Sequence, residues 1–66
     1  MRVTVNGKTL EVRAGLTVTA LLGELRLAPG PVAVEINRAI VVRAEHARHE
    51  LQDGDEVEIV SFGRGE

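Results

Sequence analysis

The chain reads as a two-layer α+β domain, a small mixed sheet with a single helix across one face. Three observations predict it. Apolar and polar residues alternate at both ends, Met1-Val3-Val5 against Arg2-Thr4-Asn6 and Val57-Ile59 against Glu56-Glu58, the period of strands with one buried face. Between them one stretch changes period, with Val18, Leu21, Leu22 and Leu25 at i, i+3, i+4 and i+7. Finally, 66 residues without cysteine leave aliphatic burial as the source of stability. One helix covers one face only, so a doubly wound sheet is excluded.

The first strand ends at Asn6-Gly7, a strong hairpin signal because both residues accept positive φ. A second strand from Thr9 to Arg13 turns Leu10 and Val12 inward and Glu11 and Arg13 outward. Thr17 is placed to cap the helix, with Leu16 and Leu21 flanking it as a hydrophobic staple. Thr19, Gly23 and Glu24 fall on the water side, and Gly23 costs the helix about 1 kcal/mol relative to alanine. Pro29-Gly30-Pro31 sets the limit beyond which the helix cannot continue. Val32 to Ile36 is the next strand, Asn37-Arg38 a turn, and Ile40 to Val42 a short strand. A polar segment from Arg43 to Glu50 reads as a helical turn or irregular chain. Asp53-Gly54-Asp55 is a tight turn that launches the last strand, Glu56 to Val60.

This order of elements matches the β-grasp, or ubiquitin-like, roll, a mixed sheet of four or five strands with one amphipathic helix. In that topology the first and last strands pair in parallel at the sheet centre. The domain is expected to span residues 1–62, followed by a flexible tail at 63–66.

Composition narrows the function. A formal charge of −2 and a single aromatic residue argue against nucleic-acid binding. No apolar run approaches the roughly 20 residues of a membrane span, and no leader pattern is present. A cytoplasmic protein that binds other proteins is expected. Without cysteine the chain cannot carry sulfur on a thiol.

The tail, Ser61-Phe62-Gly63-Arg64-Gly65-Glu66, carries the strongest functional signal. Gly63 and Gly65 have no Cβ, so this end is slim and conformationally free. Such a terminus suits insertion into another protein, as in a carrier whose reactive group is its terminal carboxylate. Four residues follow Phe62, with a reach of roughly 13 Å at about 3.3 Å each. Val60 and Phe62 lie on the strand face opposite Val57 and Ile59. They either close the bottom of the roll or form a docking patch beside the tail, and an exposed aromatic would be a natural hot spot.

Other groups carry less. His46 and His49, with Glu45 and Glu50 nearby, lack the four well-separated ligands of a structural zinc site and read as surface residues. Arg43 and Arg48 are placed to pair with Glu45 or Glu50 at the surface, where such pairs contribute little. Gly63 and Gly65 precede no helix, so they are not a phosphate loop. Ser61 reads as an edge residue rather than a nucleophile.

The chain resembles the ThiS-type sulfur carriers of thiamine biosynthesis. The likeness lies in Val5-Asn6-Gly7, Gly15-Leu16-Thr17-Val18, Leu21-Leu22 and Ile36-Asn37-Arg38 before Ile40-Val41-Val42. It continues through His49, Leu51 and Asp53-Gly54-Asp55-Glu56-Val57-Glu58-Ile59 into the tail. Each motif is weak alone; their order and spacing over the whole chain are specific. The resemblance implies a carrier, not an enzyme, whose C-terminal glycine is adenylated by a ubiquitin-activating-like adenylyltransferase using Mg-ATP. No cofactor is bound by the carrier. A persulfide donor then supplies sulfur for a glycyl thiocarboxylate, and thiazole synthase takes that sulfur into the thiazole ring. It further implies Gly65 as acceptor, provided Glu66 is removed, with Val60, Phe62, Gly63 and Arg64 as partner-binding residues.

The family closes on Gly-Gly, whereas this chain ends Gly63-Arg64-Gly65-Glu66. Three explanations stay open: removal of Glu66, a piece of a longer protein, or a relative without carrier activity. Two alternatives accompany the carrier reading, a non-reactive β-grasp interaction module and a carrier like the small subunit of molybdopterin synthase.

Overall fold

The computed structural model describes residues 1–27 and 31–62. The expected stop at Pro29-Gly30 and the tail residues Gly63, Arg64, Gly65 and Glu66 lie outside the described residues. Five strands, β1 (Arg2–Val5), β2 (Lys8–Glu11), β3 (Val32–Ile36), β4 (Ala39–Val41) and β5 (Glu56–Ser61), form one sheet, with α1 (Val18–Leu25) as the helix. The strand order is β2-β1-β5-β3-β4. β5, last in sequence, is central: parallel to β1 and antiparallel to β3. No described helix is long and apolar enough to cross a membrane.

The first hairpin forms as its sequence directs. Val5 faces Lys8 across the two-residue loop Asn6-Gly7, and both loop residues have positive φ, 49° and 84°. This backbone twist matches that of the flanking strands. Met1 and Val12 extend the pairing: the terminal amine donates to the Val12 carbonyl and the Val12 N–H to the Met1 carbonyl, each at 2.8 Å.

Helix α1 begins where the cap predicts, the Thr17 hydroxyl accepting from the Ala20 N–H at 3.1 Å. Two more first-turn donors are met from outside the helix, Val18 N–H by the His49 carbonyl and Thr19 N–H by the His46 carbonyl, both at 3.0 Å. The four donors that every helix start leaves unpaired make such partners valuable. At the other end the helix stops before the prolines. Arg26 adopts a left-handed conformation, φ 54° and ψ 48°, and its N–H returns to the Gly23 carbonyl. Gly23 is exposed, and a methyl group built there would meet nothing within 4 Å.

The core joins both layers. Val3, Val5, Val34, Ile36, Val57 and Ile59 from the sheet meet Val18 and Leu21 from the helix, with Leu16 and Leu51 closing the edge. Leu16, Val18 and Leu21 are at most 1% exposed, so truncating any of them to alanine would cost about 2–4 kcal/mol.

The segment after β4 forms the expected helical turn but departs from expectation at one residue. It contains a 3-10 turn, Arg43–Glu45, and His46, expected at the surface, is buried at 7% exposure. Its ring Nε2 lies 2.9 Å from the Val41 carbonyl, while its own carbonyl serves the helix start. This histidine ties β4 to α1, a role set by residues distant in sequence. His49 is half-buried. Arg48 pairs with Glu45 at 2.6 Å on the surface.

Candidate functional site

β5 precedes the tail in sequence, so what holds β5 fixes the last described residues. Its residues alternate. Val57 and Ile59 point into the core, while Glu56, Glu58 and Val60 point to the outer, helix-free face. On the β3 side the strand is paired from Ile36↔Val57 through Val32↔Ser61. The Phe62 N–H bonds the Pro31 carbonyl at 3.0 Å, one step further.

Two asparagine side chains supplement this ladder. Asn37, φ 52° in the β3–β4 turn, accepts the Glu56 N–H through Oδ1 and donates from Nδ2 to Asp55 Oδ1, each at 3.0 Å. The second oxygen of buried Asp55 accepts the Gln52 N–H at 2.8 Å. This network fixes the start of β5. Further along, Asn6 Oδ1 accepts the Ile59 N–H at 2.7 Å and Nδ2 donates to the Ile59 carbonyl at 3.2 Å. Sequence reasoning assigned these residues to turns only; the hydrogen bonds were missed because they join residues far apart in the chain. The available signal was asparagine rather than glycine first in each turn.

The outer face beside the tail combines apolar and acidic groups. Val60 and Phe62 are 53% and 54% exposed, so neither closes the bottom of the roll. Val60 faces Ala33 across the ladder, and the next row sets Glu58 against Glu35 and Glu35 against exposed Ile40. Among the described residues none of Glu35, Glu56 and Glu58 forms an ion pair within 4 Å. Like charges directly opposed across strands are destabilising, so this row weakens the fold slightly.

Of the expected partner-binding residues, Val60 and Phe62 thus share one exposed face at the exit of β5. Gly63, Arg64 and the expected acceptor Gly65 lie outside the described residues. Among the described residues no three His, Asp or Glu side chains converge as a cation site requires.

A model of the ThiS family matches residues 2–65. The chain belongs to the ThiS family. It is 37% identical over 57 residues to the sulfur carrier protein ThiS of Escherichia coli K12, covering 86% of each chain. Its fold matches the crystal structure of a thiamine biosynthesis protein (ThiS) from Geobacter metallireducens with a TM-score of 0.84, at 38% identity and full coverage of both chains. It is also 44% identical over 62 residues to a thiazole synthase of Paramagnetospirillum magneticum. That match spans 94% of this chain and 19% of the relative, about a fifth of the larger protein. The five-stranded mixed sheet with one helix is thus the ThiS β-grasp fold.

Proposed function

We propose that this chain is a non-catalytic sulfur carrier whose reactive group is the carboxylate of Gly65, exposed by removal of Glu66. The observation that carries the reading is the placement of β5. The central strand of the sheet is followed in sequence by the glycine-spaced end, and Val60 and Phe62 are exposed at its last described residues.

The chemistry follows from the terminus. A partner adenylyltransferase of the ubiquitin-activating type binds Mg-ATP, and the Gly65 carboxylate attacks the α-phosphorus and releases pyrophosphate. The terminal sulfur of a persulfide displaces AMP, giving an acyl disulfide. Reduction of that disulfide by a thiol leaves the thiocarboxylate, which thiazole synthase accepts as its sulfur source. The carrier supplies no base or nucleophile other than its own carboxylate; it supplies a handle. Val60 and Phe62 are the docking anchors, with Gly63 and Arg64 following into the partner's channel. The setting is the cytoplasm.

Intact-mass measurement of the protein from its native cells tests this. A species ending at Gly65, or one heavier by the exchange of one oxygen for sulfur, is expected. Only the chain through Glu66, inert to an activating enzyme with ATP, would favour a binding module instead. Phe62→Ala tests the docking face. It should weaken association with the adenylyltransferase by about 30-fold, the scale of an aromatic hot spot. The melting temperature should hardly move, since Phe62 is more than half exposed. Equal losses in both would return Phe62 to a structural role.

A further inference from the structure

We infer that Asn6 is a positioning residue for delivery of the C-terminus: its carboxamide sets the point at which the outgoing chain ceases to be held on both sides. The inference rests on the carrier reading of β5 and its tail.

On the β1 side, β5 is held at alternate residues, by Thr4 N–H on the Asp55 carbonyl at 2.9 Å and Asn6 N–H on the Val57 carbonyl at 2.8 Å. There β1 ends, because Asn6 and Gly7 turn the backbone away with positive φ. A backbone carbonyl at the next position would have received the Ile59 N–H. The Asn6 side chain takes that place, accepting the Ile59 N–H and donating to the Ile59 carbonyl. One carboxamide thus stands in for a peptide group and extends the parallel ladder by two residues of β5. Ile59 is 9% exposed, so both of its backbone groups need such a partner.

Beyond Ile59 the described hold on β5 comes from β3 alone, through Ala33, Val32 and Pro31. Removing the Asn6 carboxamide moves the last two-sided anchor back to Val57. That lengthens the one-sided segment by two residues, roughly 7 Å at about 3.3 Å each. A terminus that must meet an enzyme-bound phosphate then samples a larger volume, and misplacement by even about 1 Å slows reactions that depend on alignment. Val60 and Phe62 keep their partners on β3, so binding changes little while turnover falls.

Two substitutions separate positioning from folding. Asn6→Gly keeps the positive φ and deletes both hydrogen bonds; Asn6→Asp keeps the acceptor for Ile59 N–H and loses the donor. The measurements are amide hydrogen exchange at Ile59 and steady-state adenylation of the chain ending at Gly65 by its adenylyltransferase with Mg-ATP, below the melting range of both variants. N6G should lose protection at Ile59 and show kcat lower by about 10-fold with KM within about twofold; N6D should lie between. Wild-type kcat in N6G despite lost Ile59 protection would overturn the proposal, as would protection that does not change or a rise in KM alone. Should N6G fail to fold, an N6D chain with unchanged kcat overturns it equally. If the unsubstituted chain is itself not adenylated, the carrier reading falls and this proposal with it. Equal turnover of all three chains sinks the proposal alone.

Discussion

The two hairpins of this molecule have the same loop length and use it differently. Each closes with two residues, Asn6-Gly7 between β1 and β2 and Asn37-Arg38 between β3 and β4, and all four have positive φ. Each puts asparagine first, and each asparagine reaches β5, one from either side. Asn37 acts at the start of the strand through a network that includes the buried carboxylate of Asp55. Asn6 acts near its end, alone and on backbone atoms only. The difference teaches how β5 is graded along its length: its beginning belongs to a cooperative polar cluster, and on the β1 side its end is held by one side chain.

The largest test of that contrast is Asn37→Ala. It leaves buried Asp55 short of a donor and puts a Cβ-bearing residue without a local hydrogen bond at φ 52°. A loss of about 3 kcal/mol is expected, roughly 15 °C in the melting midpoint of so small a domain. Chemical denaturation of N37A beside N37G, which tolerates the turn, separates the network from the backbone cost. A loss below about 1 kcal/mol in both would remove the distinction between the two clamps.

Next comes the second position of each turn. Gly7 adopts φ 84° freely, whereas Arg38 holds φ 71° with a full side chain. Arg38→Gly should therefore stabilise the protein by about 0.5–1 kcal/mol, the relief of a left-handed conformation less the added freedom of the unfolded glycine. A destabilised R38G would show that the arginine side chain contributes more than its backbone costs. The smallest effect concerns the outer face between the clamps. Replacing Glu35 and Glu58 together by glutamine should raise stability by a few tenths of a kcal/mol at low salt, because the opposed charges are removed. The gain should vanish near 1 M salt, where screening acts within about 3 Å. Persistence of the gain there would mean that charge is not its cause.

Much of this was legible beforehand. The helix, its Thr17 cap and the first hairpin follow from local rules, and Val57 and Ile59 announce their buried face by alternation. Central parallel pairing of β5 came with the β-grasp topology that the order of elements matches. His46 was not legible. Nothing beside it in the chain is apolar enough to suggest burial, and its partners, the Val41 carbonyl and the start of α1, come to it only through the tertiary fold. The second role of Asn6 was hidden likewise, since 53 residues separate it from Ile59. The prolines set only an outer limit for the helix; its actual stop, at the left-handed Arg26, carried no local signal of that kind.

The position of β5 has a consequence for synthesis. Since β5 is the last of the described strands in sequence and the middle one in space, a growing chain has β1 and β3 with an open slot between them until β5 has left the ribosome. Long-range pairing of this kind is slow to form, and exposed edges of an unfinished sheet invite unwanted partners. A prematurely terminated copy would therefore lack the piece that closes its own sheet, and cellular quality control would meet it as an unfolded chain.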